Sequence, residues 1–400
     1  MKIKQQLTAL VAAGVLAHAL PAEATPTRYT PEVMLSLARV GAADLSPDGK
    51  TLVYSVGFPN LQANKIQSQL FRIAADGSSR KQLTSNIAGV HSPRWIQQGK
   101  RIAFLSSESG SQQVWTMAPD GSERKQLTAI EGGLSDFLLS PDETKIVYIK
   151  EIPFGKSTKD LYPDFPKATG RIITDLMYKH WDEWTETIPH IFIAELGASP
   201  VKGGKDILEG EPYEAPTKPF GGAEELSWSP DGQTLAYSSR KKVGMEYALS
   251  TNTDIYLYDL ASGQTKNVTA PNGGYDTHPR FSPDGKSLSW ISMERDGYEA
   301  DLKRLFVLDL KTGKKTYLTD GFEYDVDETV WAPDSKSIYF LCTKEAETHL
   351  WELGLKKRTI RQITSGQCDY TSVSLRAGKL LAGRQSYNDP KDLYLVDPHS

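Results

Sequence analysis

The chain repeats one turn sequence, which first appears as Leu45-Ser46-Pro47-Asp48-Gly49-Lys50. Proline presets φ for the second position of a type I turn, aspartate bonds the neighbouring backbone, and glycine relieves the fourth position. We therefore interpret the serine and the aspartate of each copy as turn formers and assign neither a catalytic role. The other copies, of which the last two are eroded, lie at residues 139–145, 228–233, 281–286, 331–336, 94–100 and 374–379.

Each turn joins the first two strands of a repeated unit. β-rich runs such as 51–55 follow the turns, which indicates hairpins. A third strand, a second turn and a short strand ending in threonine close the unit, as in Asn267-Val268-Thr269, which we interpret as a strand end and not as a glycosylation sequon. Asp231 and Asp284 are 53 residues apart, and Asp284 and Asp334 are 50 apart, near the ~40–50 residues of four-stranded propeller blades. The pattern predicts an all-β fold, a β-propeller of about seven four-stranded antiparallel blades.

One step in the series is too long for a blade, because Asp142 and Asp231 are 89 residues apart. We place an insertion at residues 152–189 of the third blade. Its first half is rich in Pro, Gly, Lys and Asp, which is typical of a loop. Its second half places apolar residues on one face of a predicted helix, so the insertion is expected to be a helical arm. These residues are Ile173, Leu176, Met177, Trp181 and Trp184.

Strand order predicts on which face of the propeller this arm lies. The Ser-Pro-Asp-Gly turns join first to second strands and mark one face, called here the turn face. Connections between second and third strands, and links between blades, lie on the opposite face, called here the arm face. The arm is expected there together with the loops 56–69, 241–254 and 293–303.

Composition and the N-terminus indicate an exported protein. The net charge is −4, which gives no argument for nucleic-acid binding. Lys2 and Lys4 precede an apolar stretch that is too short to anchor in a membrane, and Ala22-Glu23-Ala24 resembles a signal-peptidase site. We predict a signal peptide at residues 1–24, a propeller domain at 25–400, no membrane association after cleavage, and a periplasmic or secreted location.

The seventh repeat is unfinished. It has a turn near Gly378, a second strand at 379–383 and a third at 393–396, and the sequence stops at Ser400 before a fourth strand. We expect an incomplete last blade, with either further sequence after it or a missing strand that comes from elsewhere.

The sequence lacks the common motifs of catalytic, phosphate-binding and metal sites. It has no Gly-x-Ser-x-Gly elbow, no phosphate-binding loop and no zinc motif, so we predict no catalytic residue, no metal ligand and no cofactor within it. Cys342 and Cys368 are the two cysteines, and the sequence leaves their pairing open.

A family resemblance rests on four features. They are the export signal, the entry helix that begins at Tyr29-Thr30-Pro31-Glu32, the repeated turns, and the arm sequence Asp175-Leu176-Met177-Tyr178-Lys179-His180-Trp181-Asp182-Glu183-Trp184. Together they resemble the N-terminal propeller of the prolyl oligopeptidase family, in particular its secreted dipeptidyl-peptidase V and acylaminoacyl-peptidase-like members. The resemblance implies a following α/β-hydrolase domain with a Ser, Asp and His triad, which this sequence lacks, so the chain alone is expected to be inactive.

The same resemblance implies a peptide-binding role. In the family the propeller gates access and acidic residues hold the free α-amine of the peptide, which suits a serine exopeptidase releasing dipeptides; acylaminoacyl-peptidase or endopeptidase activity stays open. The candidate residues are the acids Asp182, Glu183 and Glu186, the aromatic residues Tyr178, Trp181 and Trp184, and, in second rank, Glu299 and Asp301.

The expected partners are a peptide substrate, the hydrolase domain of the same protein, and a second copy in a homodimer. Two alternatives stay open. The acids of the arm are solvated charges on a packing element, or the chain is an exported propeller scaffold for protein–protein interaction without catalysis.

Overall fold

The computed structural model describes residues 28–180, 182–219 and 221–399. Seven small antiparallel sheets follow one another along the chain, and six of them have four strands in chain order, as a propeller requires. The predicted seven-bladed β-propeller is therefore confirmed. The predicted signal peptide at 1–24 lies outside the described residues. No helix in the described part of the chain is long and apolar enough to span a membrane.

The strands of the first four blades have two to ten residues, and the arm is inserted between the second and third strands of blade 3. They are β1 Arg39–Leu45, β2 Thr51–Asn60, β3 Lys65–Ala74 and β4 Lys81–Gln82; β5 His91–Ile96, β6 Arg101–Ser106, β7 Gln113–Met117 and β8 Lys125–Gln126; β9 Asp136–Leu139, β10 Lys145–Pro153, β13 Thr187–Glu195 and β14 Lys205–Asp206; β15 Leu226–Trp228, β16 Thr234–Ser239, β17 Asp254–Asp259 and β18 Thr265–Asn267. The arm holds β11 Lys179–His180 and β12 Glu183–Trp184.

The last three blades follow the same plan, except that the seventh has three strands in the described part of the chain. They are β19 Asp276–Phe281, β20 Ser287–Ser292, β21 Arg304–Asp309 and β22 Lys315–Tyr317; β23 Asp327–Trp331, β24 Ser337–Lys344, β25 Glu347–Gly354 and β26 Thr359–Gln362; β27 Asp369–Arg376, β28 Lys379–Gln385 and β29 Asp392–Val396. The predicted incomplete last blade is confirmed.

The described helices are short and lie in connections. They are α1 Pro31–Ser36, α2 Thr158–Leu161 and α3 Gly244–Leu249, with 3₁₀ turns at Gln97–Gly99 and Ala223–Glu225. The predicted entry helix is α1, in which the Thr30 hydroxyl accepts the Val33 N–H at 3.4 Å. It ends at Ser36.

Seven of the eight apolar core clusters of the described residues lie between neighbouring blades, one at each blade-to-blade contact, and the eighth lies under the arm. Val53 and Leu70 of blade 1, for example, pack with Phe104 of blade 2. The remaining contacts between neighbours have the same form, and the last joins Leu381 of blade 7 to Leu52 of blade 1. In the described residues the ring is therefore closed by side-chain packing and not by a shared strand.

The repeated turn is held by its own side chains. In the first copy the Ser46 hydroxyl donates to Asp48 at 2.6 Å, Asp48 accepts the Lys50 N–H at 3.1 Å, and Ser46 accepts the Thr51 N–H at 2.9 Å. Ser140, Ser229 and Ser282 donate to the aspartates of their own turns at the same 2.6 Å. These bonds support the interpretation of the motif as a turn former.

The prediction of a helix in the second half of the arm is wrong. Its described residues, 173–180 and 182–184, form a bend and a two-stranded hairpin, with Lys179 paired to Trp184 and His180 to Glu183. Among the described residues of the arm, α2 is the single helical turn. Asp175 accepts the Met177 N–H at 2.8 Å, a local bond that competes with helix formation. Because Met177 is buried while Ile173 and Leu176 are exposed, the 3.6-residue apolar spacing does not correspond to one packed face.

Two predicted boundaries also differ. Strands β10 and β13 extend until Pro153 pairs with Thr187, so the arm covers residues 154–186 and not 152–189; the β-branched pair Ile152 and Ile188 continues the ladder. The predicted loop 56–69 is mostly a hairpin in which β2 and β3 pair as far as Asn60 and Lys65.

The two cysteines are free and buried. Cys342 lies in the cluster between blades 5 and 6, and Cys368 in the cluster between blades 6 and 7. They therefore act as small core residues in separate parts of the structure.

Candidate functional site

The arm rises from the arm face of blade 3 and encloses a cleft. The cleft has a volume of about 530 Å³ and lies between the loop that carries α2 and the β11–β12 hairpin. Its lining mixes apolar side chains with charged ones, among them Ile173, Tyr178, Trp184, Arg171 and Glu186. A partly apolar concavity with a few charged groups is the usual form of a site for a small ligand or a side chain.

Trp184 is the centre of the aromatic part of this site. Its ring lies 6.1 Å from that of Tyr178, measured between centroids. The Arg171 guanidinium lies 4.5 Å, and the Lys179 ammonium 5.4 Å, from the centre of the same ring. Tyr178 and Trp184, two of the three predicted aromatic residues, therefore meet at the cleft, whereas Trp181 lies outside the described residues.

The acids of the arm lie on the hairpin and not on one face of a helix. Asp182 is in the connection between β11 and β12, Glu183 begins β12, and both are exposed. Glu186 forms an ion pair with Arg171 at 2.8 Å. Since Arg171 neutralises Glu186, Asp182 and Glu183 are the better placed of the three to attract a cation.

Both second-rank candidates lie in the loop 293–303 on the same face. Asp301 accepts hydrogen bonds from the Arg295 backbone N–H at 2.8 Å, from Nε at 2.9 Å and from the Nη2 end of the guanidinium. The bond from the Arg295 side chain lowers the pKa of the Asp301 carboxyl, so Asp301 serves to fold the loop. Glu299 is exposed and contributes to raising the pKa of Tyr275 to about 12, an effect that comes mainly from burial.

Two buried carboxyl groups beneath the arm were missed by sequence reasoning. Glu214 is 2% exposed and Glu225 is 3% exposed. Burial raises the pKa of Glu225 to about 8, opposed by the Thr217 N–H bond and reinforced by Glu224 and Glu214. The sequence feature that could have pointed to them is the length of the link between blades 3 and 4. This link, residues 207–225, is longer than the next longest links, 127–135 and 318–326.

The exposed large apolar side chains of the described residues lie on one face. Twenty large apolar side chains of the described residues are exposed, and by strand order all of them lie at the arm face: before β1, at the β2–β3 hairpin, or in a connection between second and third strands. Eight belong to the arm itself, and Trp184 and Leu176 are examples, exposed by 41% and 54%. One-sided apolar exposure of this kind marks an interaction surface.

Blade number, strand order and the packing between blades define the class of protein, a seven-bladed β-propeller. A protein-family model described as PD40, TolB beta propeller domain, matches residues 222–395. This match covers the last four blades.

The particular relatives are peptidases. The chain is 58% identical to dipeptidyl-peptidase 5 of Porphyromonas gingivalis over 99% of its length, and 50% identical to dipeptidyl-peptidase 5 of Porphyromonas endodontalis over 92%. It spans 58% and 53% of the lengths of these two proteins. The resemblance drawn from the sequence is thereby confirmed, and the chain corresponds to somewhat more than half of such a protein.

Solved structures show the same fold at low sequence identity. Acylaminoacyl peptidase of Pyrococcus horikoshii aligns with 91% of this chain and 52% of its own, with a TM-score of 0.68 at 15% identity. The β-propeller domain of the trilobed protease of Pyrococcus furiosus, described as having an open velcro topology, aligns with 90% of this chain and 95% of its own, with a TM-score of 0.59 at 13% identity. These likenesses concern the fold.

Proposed function

We propose that this chain is the substrate-handling propeller of an exported serine exopeptidase that releases dipeptides from peptide N-termini. The observation that carries the proposal is the one-sided exposure of apolar side chains. Contact of so much apolar surface with water is unfavourable, and covering it with a second domain removes that cost. In this proposal the covering domain is the α/β-hydrolase domain expected after residue 400. The relatives named dipeptidyl-peptidase 5, which are longer than this chain, support the presence of such a domain.

In this proposal the arm face and the hydrolase domain enclose the peptide, and the propeller gates its entry. The arm cleft holds part of the peptide against Trp184 and Tyr178. A carboxylate of the arm face attracts the free α-amine, because an ionic hydrogen bond to a cation is strongest where water is partly excluded. Asp182, Glu183 and Glu299 are the candidates whose charge no described ion pair takes up.

The test is the activity of the complete gene product. We expect it to cleave a chromogenic dipeptidyl substrate with a free N-terminus and to cleave the N-acetylated form at least about a hundredfold more slowly, since acetylation removes the charge that the carboxylate binds. Equal cleavage of both forms would assign an acylaminoacyl-peptidase or endopeptidase activity. Absence of hydrolysis, with no nucleophile elbow encoded after residue 400, would favour the alternative of an exported interaction scaffold.

Neutral replacements of the acids locate the anchor. We expect Asp182→Asn, Glu183→Gln or Glu299→Gln to raise KM about tenfold, which corresponds to about 1.4 kcal/mol. Glu195→Gln is the matched control, because Glu195 ends β13 at the turn face. If none of the three differs from the control, the anchor is elsewhere.

Export is part of the proposal and has its own test. N-terminal sequencing of the mature protein from its natural host should begin at Thr25, the residue after the predicted cleavage site. A mature protein that retains Met1 contradicts export through this signal.

A further inference from the structure

One connection of blade 4 reaches across to the arm of blade 3. This connection, residues 240–253 between β16 and β17, contains α3, Gly244–Leu249, and is called here the bracket. Within α3, Tyr247 is buried at 8% exposure, whereas Met245 and Leu249 are exposed. The bracket therefore turns one aromatic side chain inward beneath the arm.

Tyr247 forms the apolar contact between the bracket and the arm. It packs with Met177 of the arm and Ile188 of β13, which are 3% and 2% exposed, and with the half-buried Ile152 and Phe154. Among the core clusters of the described residues, this is the one that includes a residue from within the hairpin half of the arm. The position of Met177 thus depends on the position of the Tyr247 ring.

A second contact lies beside the first. The Asp175 carboxylate, which accepts the Met177 N–H at 2.8 Å, sits against Gly244 so closely that a Cβ there would be 3.0 Å from its Oδ2. Gly244 has a φ of +60°, a conformation that side chains disfavour. Backbone of the bracket and the bend of the arm are therefore in direct contact.

Tyr247 is itself held by a buried carboxylate. Its hydroxyl donates to Glu214 Oε1 at 2.6 Å, and the Lys218 backbone N–H donates to the same oxygen at 3.1 Å. The Arg240 guanidinium lies 4.9 Å from the centre of the Tyr247 ring. Burial and the Glu214 carboxylate raise the pKa of Tyr247, so the phenol keeps the proton that it donates.

We infer that Glu214 is a positioning residue for the arm, acting through Tyr247 and Met177. Glu214 belongs to the link between blades 3 and 4 and is buried, so it orients the hairpin that carries Tyr178 and Trp184 without touching a ligand at the cleft. That this orientation affects peptide binding rests on the function proposed above; the orientation itself does not.

The first measurement is amide hydrogen exchange of the complete protein. Tyr247→Phe removes the hydroxyl and keeps the ring, and Glu214→Gln keeps the shape and removes the charge. Hydrogen bonds to charged groups are among the stronger ones, so we expect exchange within residues 171–186 to rise about tenfold in both variants, with exchange in the blade strands unchanged. Tyr387→Phe is the matched control, because Tyr387 is fully exposed in the β28–β29 connection of blade 7.

The second measurement is the kinetics of peptide cleavage by the same variants. We expect KM to rise several-fold with kcat nearly unchanged, as for a loss of binding that is uniform between ground and transition states. Unchanged exchange in the arm of both variants overturns the inference. Faster exchange with an unchanged KM keeps the positioning role and contradicts the substrate role proposed for the arm.

Discussion

At the scale of single residues, the hydrogen-bond partners of a buried polar side chain show whether its role is structural. Thr269 lies two residues after β18, the fourth strand of blade 4, and its hydroxyl accepts the Ile255 N–H at 3.0 Å and donates to Asp254 at 2.9 Å. Thr84, Thr128, Thr319 and Thr364 accept the corresponding N–H in their own blades. The recurring threonine therefore joins the ends of two strands, which explains the Asn267-Val268-Thr269 pattern without glycosylation.

Glu225 should make stability depend on pH. Its pKa of about 8 in the folded protein lies above the ordinary value near 4.5, so the folded state retains a proton that the unfolded state releases. Stability is therefore expected to fall as pH rises from about 4.5 to 8. We expect Glu225→Gln, which keeps an acceptor for the Thr217 N–H, to raise the free energy of unfolding at pH 8 by on the order of 2 kcal/mol.

Denaturant titrations of both proteins at pH 5 and pH 8 check this prediction. The difference between them should be small at pH 5 and large at pH 8. A variant that is equally affected at both pH values would show that ionisation of Glu225 does not control stability. Glu209→Gln, an exposed position of the same link, is the control for an unspecific loss of negative charge.

At the scale of elements, the contribution of the threonine that follows each fourth strand can be tested directly. Thr269→Val keeps the shape of the side chain and leaves the Ile255 N–H unpaired in a buried position, so we expect a loss of about 1–3 kcal/mol in the free energy of unfolding. Thr265→Val, at an exposed position of the neighbouring strand β18, should cost much less. Equal losses in the two variants would mean that β-propensity and not the hydrogen bond is responsible.

The arm shows where prediction of an element from sequence fails. Blades were predictable because their turns close through bonds within a few residues, such as Ser46 to Asp48. The arm was not, since its conformation depends on Tyr247, which comes from the next blade and contacts Met177. A periodic apolar pattern predicts a helix when one face is buried along its length, and in the arm tertiary contact buries Met177 alone of the described members of that pattern.

At the scale of the whole molecule, the contact between blade 7 and blade 1 closes the ring. The Asp44 carboxylate accepts the Trp95 N–H at 2.7 Å and pairs with Arg376 of blade 7 at 3.4 Å. Burial raises the pKa of Asp44, and Arg376 opposes that effect. This pair and the apolar cluster around Leu52 and Leu381 connect the two blades where no described strand joins them.

Loss of Asp44 should loosen the ring at this position. We expect Asp44→Ala to lower the free energy of unfolding by about 1–3 kcal/mol, because it leaves the Trp95 N–H and Arg376 without their partner. Amide exchange should increase in β1 and β27 more than in the first strands of the other blades. Asp327→Ala, which removes an ion pair with Lys303 between blades 5 and 6, is the control and should leave β1 unchanged.

Local chemistry along the chain was enough to establish seven blades, the face on which the arm lies and the unfinished last blade. All three depend on short-range turn bonds and on strand parity, which a linear sequence contains. The form of the arm and the burial of Glu214 beneath Tyr247 depended on contacts between different blades. The ion pair of Glu186 depended on the fold of the arm itself, which brings Arg171 to it from fifteen residues away. Glu214 and Tyr247 are 33 residues apart in the chain. A local sequence pattern cannot predict which distant side chains bury a carboxyl group, because that depends on how the blades pack.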